Sequence, residues 1–401
     1  MKIEKEEIHY FVNDKTGLED PNLGMILDHK KIRSNYLKVL KTSQKLYNPT
    51  TIPYDKIRYA VLMSTRKTGK TNTNLLYWFV AWQMYGCTGA YIRQVESQIT
   101  YNDLKTFFDV LRNFNYASIV TDGEFSDFEI RGSFAYLVHY DEKLKVDKRS
   151  EPFMWFGAIS AQEKYKSKVN LTKCQWIMYD EFISKIHASV DEFGDYLQLL
   201  STIIRDKIDV KILMLANSQD IYNEYLYNLM IQSEVQRMAT DDNALIVTPK
   251  GTCLYVEMIG DRSIEREKLN TLYFGFDNAS IGAVTGGDWC VAEYPRIIRE
   301  EKDIITRSIY IVFNNQIMQL EIVYNDRLHT HVLVHRATKI SEKALIIFTI
   351  SDIVDYRYKF AFGEGKMCKL LWRLYDAHMF FYADNTLGYT MEKYVNAAAK
   401  L

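Results

Sequence analysis

The feature that most constrains this chain is the stretch 58–86, RYAVLMSTRKTGKTNTNLLYWFVAWQMYG. Its opening apolar run (59–63) predicts a short buried strand. A polar turn follows, Ser64-Thr65-Arg66-Lys67-Thr68-Gly69-Lys70-Thr71, and then an apolar, aromatic segment long enough for about four helical turns. Strand, loop, Gly-Lys-Thr and helix in this order form a phosphate-binding loop, because the loop amides and the helix N-terminus aim N–H donors at anionic oxygens. The expectation is therefore ATP held by Ser64, Arg66, Lys67, Thr68, Gly69, Lys70 and Thr71. Lys70 would reach the β- and γ-phosphates, and Thr71 would place its hydroxyl on Mg²⁺. One position departs from the pattern, since Ser64 stands where the first glycine of such loops belongs.

A second segment, 174–182 (CQWIMYDEF), drives apolar residues straight into Asp180-Glu181. Two carboxylates at the end of a buried strand are costly without a cation or metal. Downstream of a phosphate loop, Asp180 is expected to position Mg²⁺ and Glu181 to polarise the attacking water. The Glu beside the Asp marks the ATPase branch that inserts a strand between the two motif strands; the kinase and GTPase branch generally lacks it. The intervening strand candidate is 89–95, GAYIRQV. A further buried run, 210–217 (VKILMLAN), ends at Asn217, followed by Ser218, where such ATPases carry a γ-phosphate sensor. Strands alternating with helices predict a doubly wound α/β sheet, with its ligand beyond the carboxyl ends of the strands.

Length and composition set the frame for these motifs. At 401 residues the chain is long for one domain and comfortable for two. The formal net charge is −1, so any nucleic-acid contact needs a local basic patch rather than a global field. The five cysteines (87, 174, 253, 290, 368) lie far apart without zinc spacing, which suits buried thiols in a reducing compartment. The charged N-terminal stretch lacks a signal-peptide core, and no run of 18 apolar residues occurs, so no membrane-spanning helix is expected.

Around the core, residues 1–50 read as a polar lead-in with a helix over 28–47, and 51–222 as the ATPase domain. Tyr47, Asn48 and Tyr54 precede the first strand, where an adenine platform could lie, although simple packing is the commoner fate of such aromatics. Residues 97–114 carry a helical pattern, 118–139 an antiparallel excursion and 153–160 a strand. A helix is expected over 191–205 and helical structure over 221–240. The turn-rich stretch up to 287 completes a linker subdomain, 223–287. Residues 288–401 read as a small α/β domain: a meander over 308–334 with turns at 314–315 and 325–326, strands at 344–350 and 378–383, and a last helix, 390–400.

Together, STRKTGKT, GAYIRQVESQI, the Lys-rich loop 163–168, WIMYDEF and LMLANS resemble the motor domain of viral DNA-packaging ATPases. Their order is similar to terminase large subunits and to the compact packaging ATPases of small podophages of the phi-twenty-nine type. The resemblance covers residues 50–220 best; Arg66 within the loop and the short DEF ending suit that family. It implies a P-loop ATPase domain of the additional-strand, catalytic-Glu branch, followed by a linker and an RNase H-like domain. It also implies a homo-oligomeric ring, expected as a pentamer, with ATP between subunits and double-stranded DNA in the pore. The motor would work in the host cytoplasm, transiently docked on a procapsid portal directly or through a packaging RNA.

On that resemblance Arg205 is the expected arginine finger reaching a neighbour's ATP, with Lys185 a weaker candidate in trans. Lys164, Lys166 and Lys168 would grip DNA phosphates. The nuclease site of terminases needs clustered carboxylates for two metals. Here Asn314 and Asn315 follow the first strand of the second domain, and Glu321 and Asp384 are the nearest acids. A vestigial nuclease is the expectation. The alternatives are a terminase that still cuts DNA, a nucleotide-binding scaffold without turnover and, more weakly, a helicase.

Overall fold

The computed structural model describes residues 3–40, 46–64, 68–140, 146–166, 171–183, 192–217, 223–260, 294–297, 299–313, 316–342, 347–348 and 365–400. The chain divides into two compact units, Met1–Cys290 and Val291–Leu401.

The first unit is built on one ten-stranded sheet. In chain order its strands are β1 (Tyr59–Ser64), β2 (Thr88–Arg93), β3 (Asp127–Arg131), β4 (Phe134–Tyr140), β5 (Val146–Arg149), β6 (Met154–Ala158), β7 (Cys174–Asp180), β8 (Lys211–Asn217), β9 (Asn243–Val247) and β10 (Cys253–Ile259). Their spatial order is β3-β4-β6-β2-β7-β8-β1-β10-β9, with β5 on β4. The six strands from β6 to β10 run parallel, and antiparallel strands close both edges.

Because the parallel strands are covered on both faces, their sequences are almost continuously apolar. Ala60 and Leu62 of β1 enter one core with the helices α1 (His29–Val39) and α2 (Lys70–Tyr85). Val61 and Met63 enter the opposite core with the helix Glu192–Ile204. Trp176 of β7 lies over Gly89 of β2 and stacks on Trp78 of α2, with ring centroids 5.7 Å apart. A Cβ on Gly89 would meet the Trp176 ring at 1.9 Å, so a side chain has no room there.

Several expectations are corrected. The strand between β1 and β7 is β8, which follows the acidic pair in the chain, and not the GAYIRQV strand β2, which lies on the far side of β7. The expected helix 28–47 is α1, which ends at Val39; Asp28 caps it by accepting from the Lys30 and Lys31 amides. The helical pattern over 97–114 is divided into short helices, Tyr101–Leu104 and Asp109–Asn113, rather than one continuous helix. Within the expected linker, β9 and β10 belong to the main sheet, and β10 pairs with β1 along its whole length. The apolar run CLYVEMI signals a strand there, though not its place in the sheet. Residues 261–287 lie outside the described residues, as do Arg66, Lys67, Lys168, Lys185, Ser218, Asn314 and Asn315.

The second unit holds a five-stranded sheet. β11 (Ile304–Phe313), β12 (Gln316–Asn325) and β13 (His329–Ala337) form an antiparallel meander. The two-residue β14 (Ile347–Phe348) runs parallel beside β11, and β15 (Phe380–Tyr382) parallel beside β13. The helices are Lys366–Asp376 and Asn385–Lys400, and Tyr394 of the latter packs edge-on against Phe313. Among the described residues no helix is long and apolar enough to cross a membrane.

Candidate active site

The parallel direction of β1, β2, β7 and β8 brings Ser64, Arg93, Asp180 and Asn217 to the same edge of the sheet. From the β1 end the chain turns into α2 through Gly69, whose φ of +80° is the left-handed region that glycine enters without strain. A Cβ there would also meet Leu46 at 2.9 Å.

Lys70, the first residue of α2, is 7% exposed. Its Nζ donates to Ser64 Oγ and to Asn217 Oδ1, both at 2.9 Å. Ser64 Oγ also lies 3.0 Å from Thr68 Oγ1. The residue that departs from the glycine pattern thus supplies an oxygen to the lysine. Burial pushes the Lys70 ammonium down to about 8, against the opposing pull of Asp180 and Glu181.

Thr71 Oγ1 donates to Asp180 Oδ2 at 3.3 Å, and Tyr91 OH donates to the same oxygen at 2.9 Å. Burial raises the Asp180 pKa, with Arg93 and Lys70 working against it. Glu181 sits in a turn with φ +57°. Its Oε2 accepts from Arg93 Nη2 at 2.5 Å, while Arg93 Nη1 lies 4.0 Å from Asp180 Oδ2 and donates to Tyr91 OH at 3.3 Å. The structure therefore brings Lys70, Thr71, Asp180, Glu181 and Asn217 together.

The oxygens of Thr71 and Asp180 fit Mg²⁺, which takes one or two protein ligands and completes its shell with water and phosphate. Among the described residues no group of three His, Cys, Asp or Glu side chains makes a protein-only metal cage.

Arg93 and Tyr91 were missed in the sequence. Both lie in the stretch GAYIRQV, and two residues apart on a strand they share a face. A single arginine at a strand end is an ordinary cation, so no local signal set it apart from its partner Glu181.

The remaining candidates lie elsewhere. Arg205 is exposed just past the helix Glu192–Ile204, with φ +50° and its Nε donating to Thr202 O. It precedes β8, so it sits toward the amino ends of the parallel strands, opposite its own chain's site. Lys164 and Lys166 are exposed at the short turn Gln162–Tyr165 and its end, paired with Glu96 at 2.6 Å and Glu163 at 2.5 Å. Tyr165 instead packs edge-on against Trp155 and anchors that turn. Tyr47 and Tyr54 are buried: Tyr47 OH donates to Glu257 and Tyr54 OH to Asn74, whose amide donates to Lys70 O, so both pack as structure. In the second unit Glu321 lies 3.5 Å from His335 and 3.7 Å from Arg299, while Asp384 faces Arg336 at 4.0 Å.

No protein-family model and no curated protein sequence matches this chain. Among solved structures, "The Phi-28 gp11 DNA packaging Motor" superposes with a TM-score of 0.58 at 14% identity, over 90% of this chain and 99% of the other. The chain has the fold of a DNA-packaging motor. A second likeness, to the bacteriophage Phi-29 viral genome packaging motor assembly, has a TM-score of 0.52 at 15% identity and covers 88% of this chain and 100% of that one. What is shared at these identities is the fold, and it extends over nearly the whole chain in both cases.

Proposed function

We propose that this protein is an ATP-driven motor that translocates double-stranded viral DNA into a procapsid. The observation that carries the reading is the convergence of Lys70, Thr71, Asp180, Glu181 and Asn217 at the carboxyl ends of adjacent parallel strands. The position of β8 between β1 and β7 supports the additional-strand ATPase branch. The shared fold with two packaging motors supports the biological role.

In this reading the loop 64–71, including Arg66, Lys67 and Thr68, wraps the triphosphate, and Lys70 leaves Ser64 and Asn217 to meet the β- and γ-phosphates. Thr71 and Asp180 would hold Mg²⁺, which would neutralise charge on the triphosphate. Glu181 takes the proton of the attacking water once Arg93 releases its carboxylate. Asn217 then donates its amide to the γ-phosphate or the lytic water.

Arg205, which precedes β8 and so lies toward the amino ends of the parallel strands, acts on the ATP of a neighbouring copy in a homo-oligomeric ring. Lys164 and Lys166 exchange their surface carboxylates for DNA phosphates, and Lys168 is assigned to the same DNA contact. The second unit is read as a vestigial RNase H-like domain, supported by the Glu321 carboxylate facing His335 and Arg299 among the described residues. The ring works in the host cytoplasm, docked on the procapsid portal.

The test is steady-state ATP hydrolysis against protein concentration, with and without double-stranded DNA, for wild type and Glu181→Gln. Turnover that rises cooperatively, responds to DNA and vanishes in Glu181→Gln is expected. ATP binding with no turnover above the mutant under any condition would replace the motor with a nucleotide-binding scaffold.

A further inference from the structure

Beneath the Asp180-Glu181 turn lies a buried polar cluster that the proposed reaction does not use. Glu192, the first residue of the helix Glu192–Ile204, is 1% exposed. Its Oε1 accepts from Gln94 Nε2 at 3.0 Å and from Tyr225 OH at 2.7 Å, with Tyr179 OH at 3.5 Å. The two tyrosine hydroxyls lie 2.9 Å apart, and all four side chains are buried. Gln94 Nε2 reaches Phe182 O as well, at 3.4 Å.

These contacts tie together three pieces of chain that carry the site. Gln94 follows Arg93 at the end of β2. Tyr179 and Phe182 flank Asp180 and Glu181. Tyr225, in the short helix Glu224–Asn228, follows the segment that leaves β8 at Asn217. Phe182 N donates to Leu215 O of β8 at 3.2 Å, so β8 holds the peptide before Phe182 and Gln94 the peptide after it. Directly before those anchors Glu181 adopts its left-handed φ, which a non-glycine residue keeps only where its surroundings impose it.

We infer that Gln94, Glu192 and Tyr225 form a positioning network that fixes the Glu181 turn relative to β2 and β8. None of the three touches the reacting atoms; they act through the backbone that aims the Glu181 carboxylate. A buried carboxylate accepting from an amide and a hydroxyl is a directional clamp, more discriminating than apolar packing in the same space. The inference rests on the ATPase reading for its catalytic consequence, and on geometry alone for its structural one.

The test uses the full chain. Gln94→Leu removes the amide; Gln94→Glu combined with Glu192→Gln exchanges the donor and acceptor sides; Tyr225→Phe deletes one oxygen and disturbs folding least. Two measurements are made: hydrogen exchange of the 180–183 amides without nucleotide, and ATP turnover beside the affinity for a non-hydrolysable ATP analogue. Gln94→Leu and Tyr225→Phe are expected to speed exchange at the turn. Gln94→Leu also lowers kcat by roughly ten- to a hundredfold, with analogue affinity within about twofold of wild type. The double exchange restores the bond between positions 94 and 192 but not the donation to Phe182 O, so it recovers both properties in part relative to Gln94→Glu alone.

Unchanged exchange at 180–183 in Gln94→Leu and Tyr225→Phe overturns the inference, as does a double exchange no better than the single change. A wild type without turnover would sink the ATPase reading instead, and the exchange measurement would still decide the network.

Discussion

Lys70 gives the most quantitative prediction. Burial brings its ammonium from the ordinary 10.5 down to about 8, while its two oxygen partners, Ser64 and Asn217, are neutral. Between those two values the unfolded chain holds the proton and the folded chain gives it up. Keeping Lys70 charged therefore opposes folding by about 3 kcal/mol near neutrality, a penalty relieved as pH rises from about 8 toward 10.5. A bound triphosphate removes the penalty by surrounding the ammonium with anionic oxygens, so nucleotide binding near pH 8 must take up about half a proton.

Only the protonated fraction is ready to bind. That fraction falls from about three-quarters at pH 7.5 to about one-tenth at pH 9, so affinity for an ATP analogue weakens by roughly eightfold over that span. Calorimetry at pH 8 in two buffers of different ionisation enthalpy measures the proton uptake directly. Lys70→Arg, which cannot deprotonate in this range, loses the pH slope even where its overall affinity is lower. Wild-type affinity that is flat between pH 7.5 and 9, with no buffer dependence, refutes the reasoning.

Two further expectations follow from packing and charge. Gly89→Ala forces a methyl into the Trp176 ring and is expected to destabilise the first unit by about 3 kcal/mol in urea unfolding, whereas a loss under half that would show that Trp176 can swing clear. Replacing Lys164 and Lys166 together with alanine breaks exposed ion pairs, so the urea unfolding midpoint is expected to stay unchanged. DNA affinity drops in the same variant, and the slope of its logarithm against that of salt flattens by roughly 2. An unchanged salt slope removes these lysines from the DNA interface.

Local patterns carried the site well. The apolar runs into Ser64, Asp180 and Asn217 were legible because a strand buried on both faces announces itself without alternation, and a polar residue at its end stands out. What the chain concealed was adjacency. Nothing local in CLYVEMI tells that β10 lies against β1, from which roughly 190 residues separate it in sequence. The same blindness assigned the intervening strand to β2 when it is β8. Arg93 was overlooked for a different reason: alone at a strand end it is one ordinary cation, and its importance comes from Glu181, far along the chain.

The late arrival of β10 has a consequence for how the protein is made. Until residues 253–259 leave the ribosome, β1 is an edge, with unpaired backbone groups beside the nucleotide loop and Tyr47 without its Glu257 partner. A fragment cut at residue 222, at the end of the motifs a reader would count as the ATPase, contains the whole candidate site and presents that open edge. Such a fragment would tend to pair edge to edge and aggregate, so the shortest piece able to be studied alone must reach past Ile259.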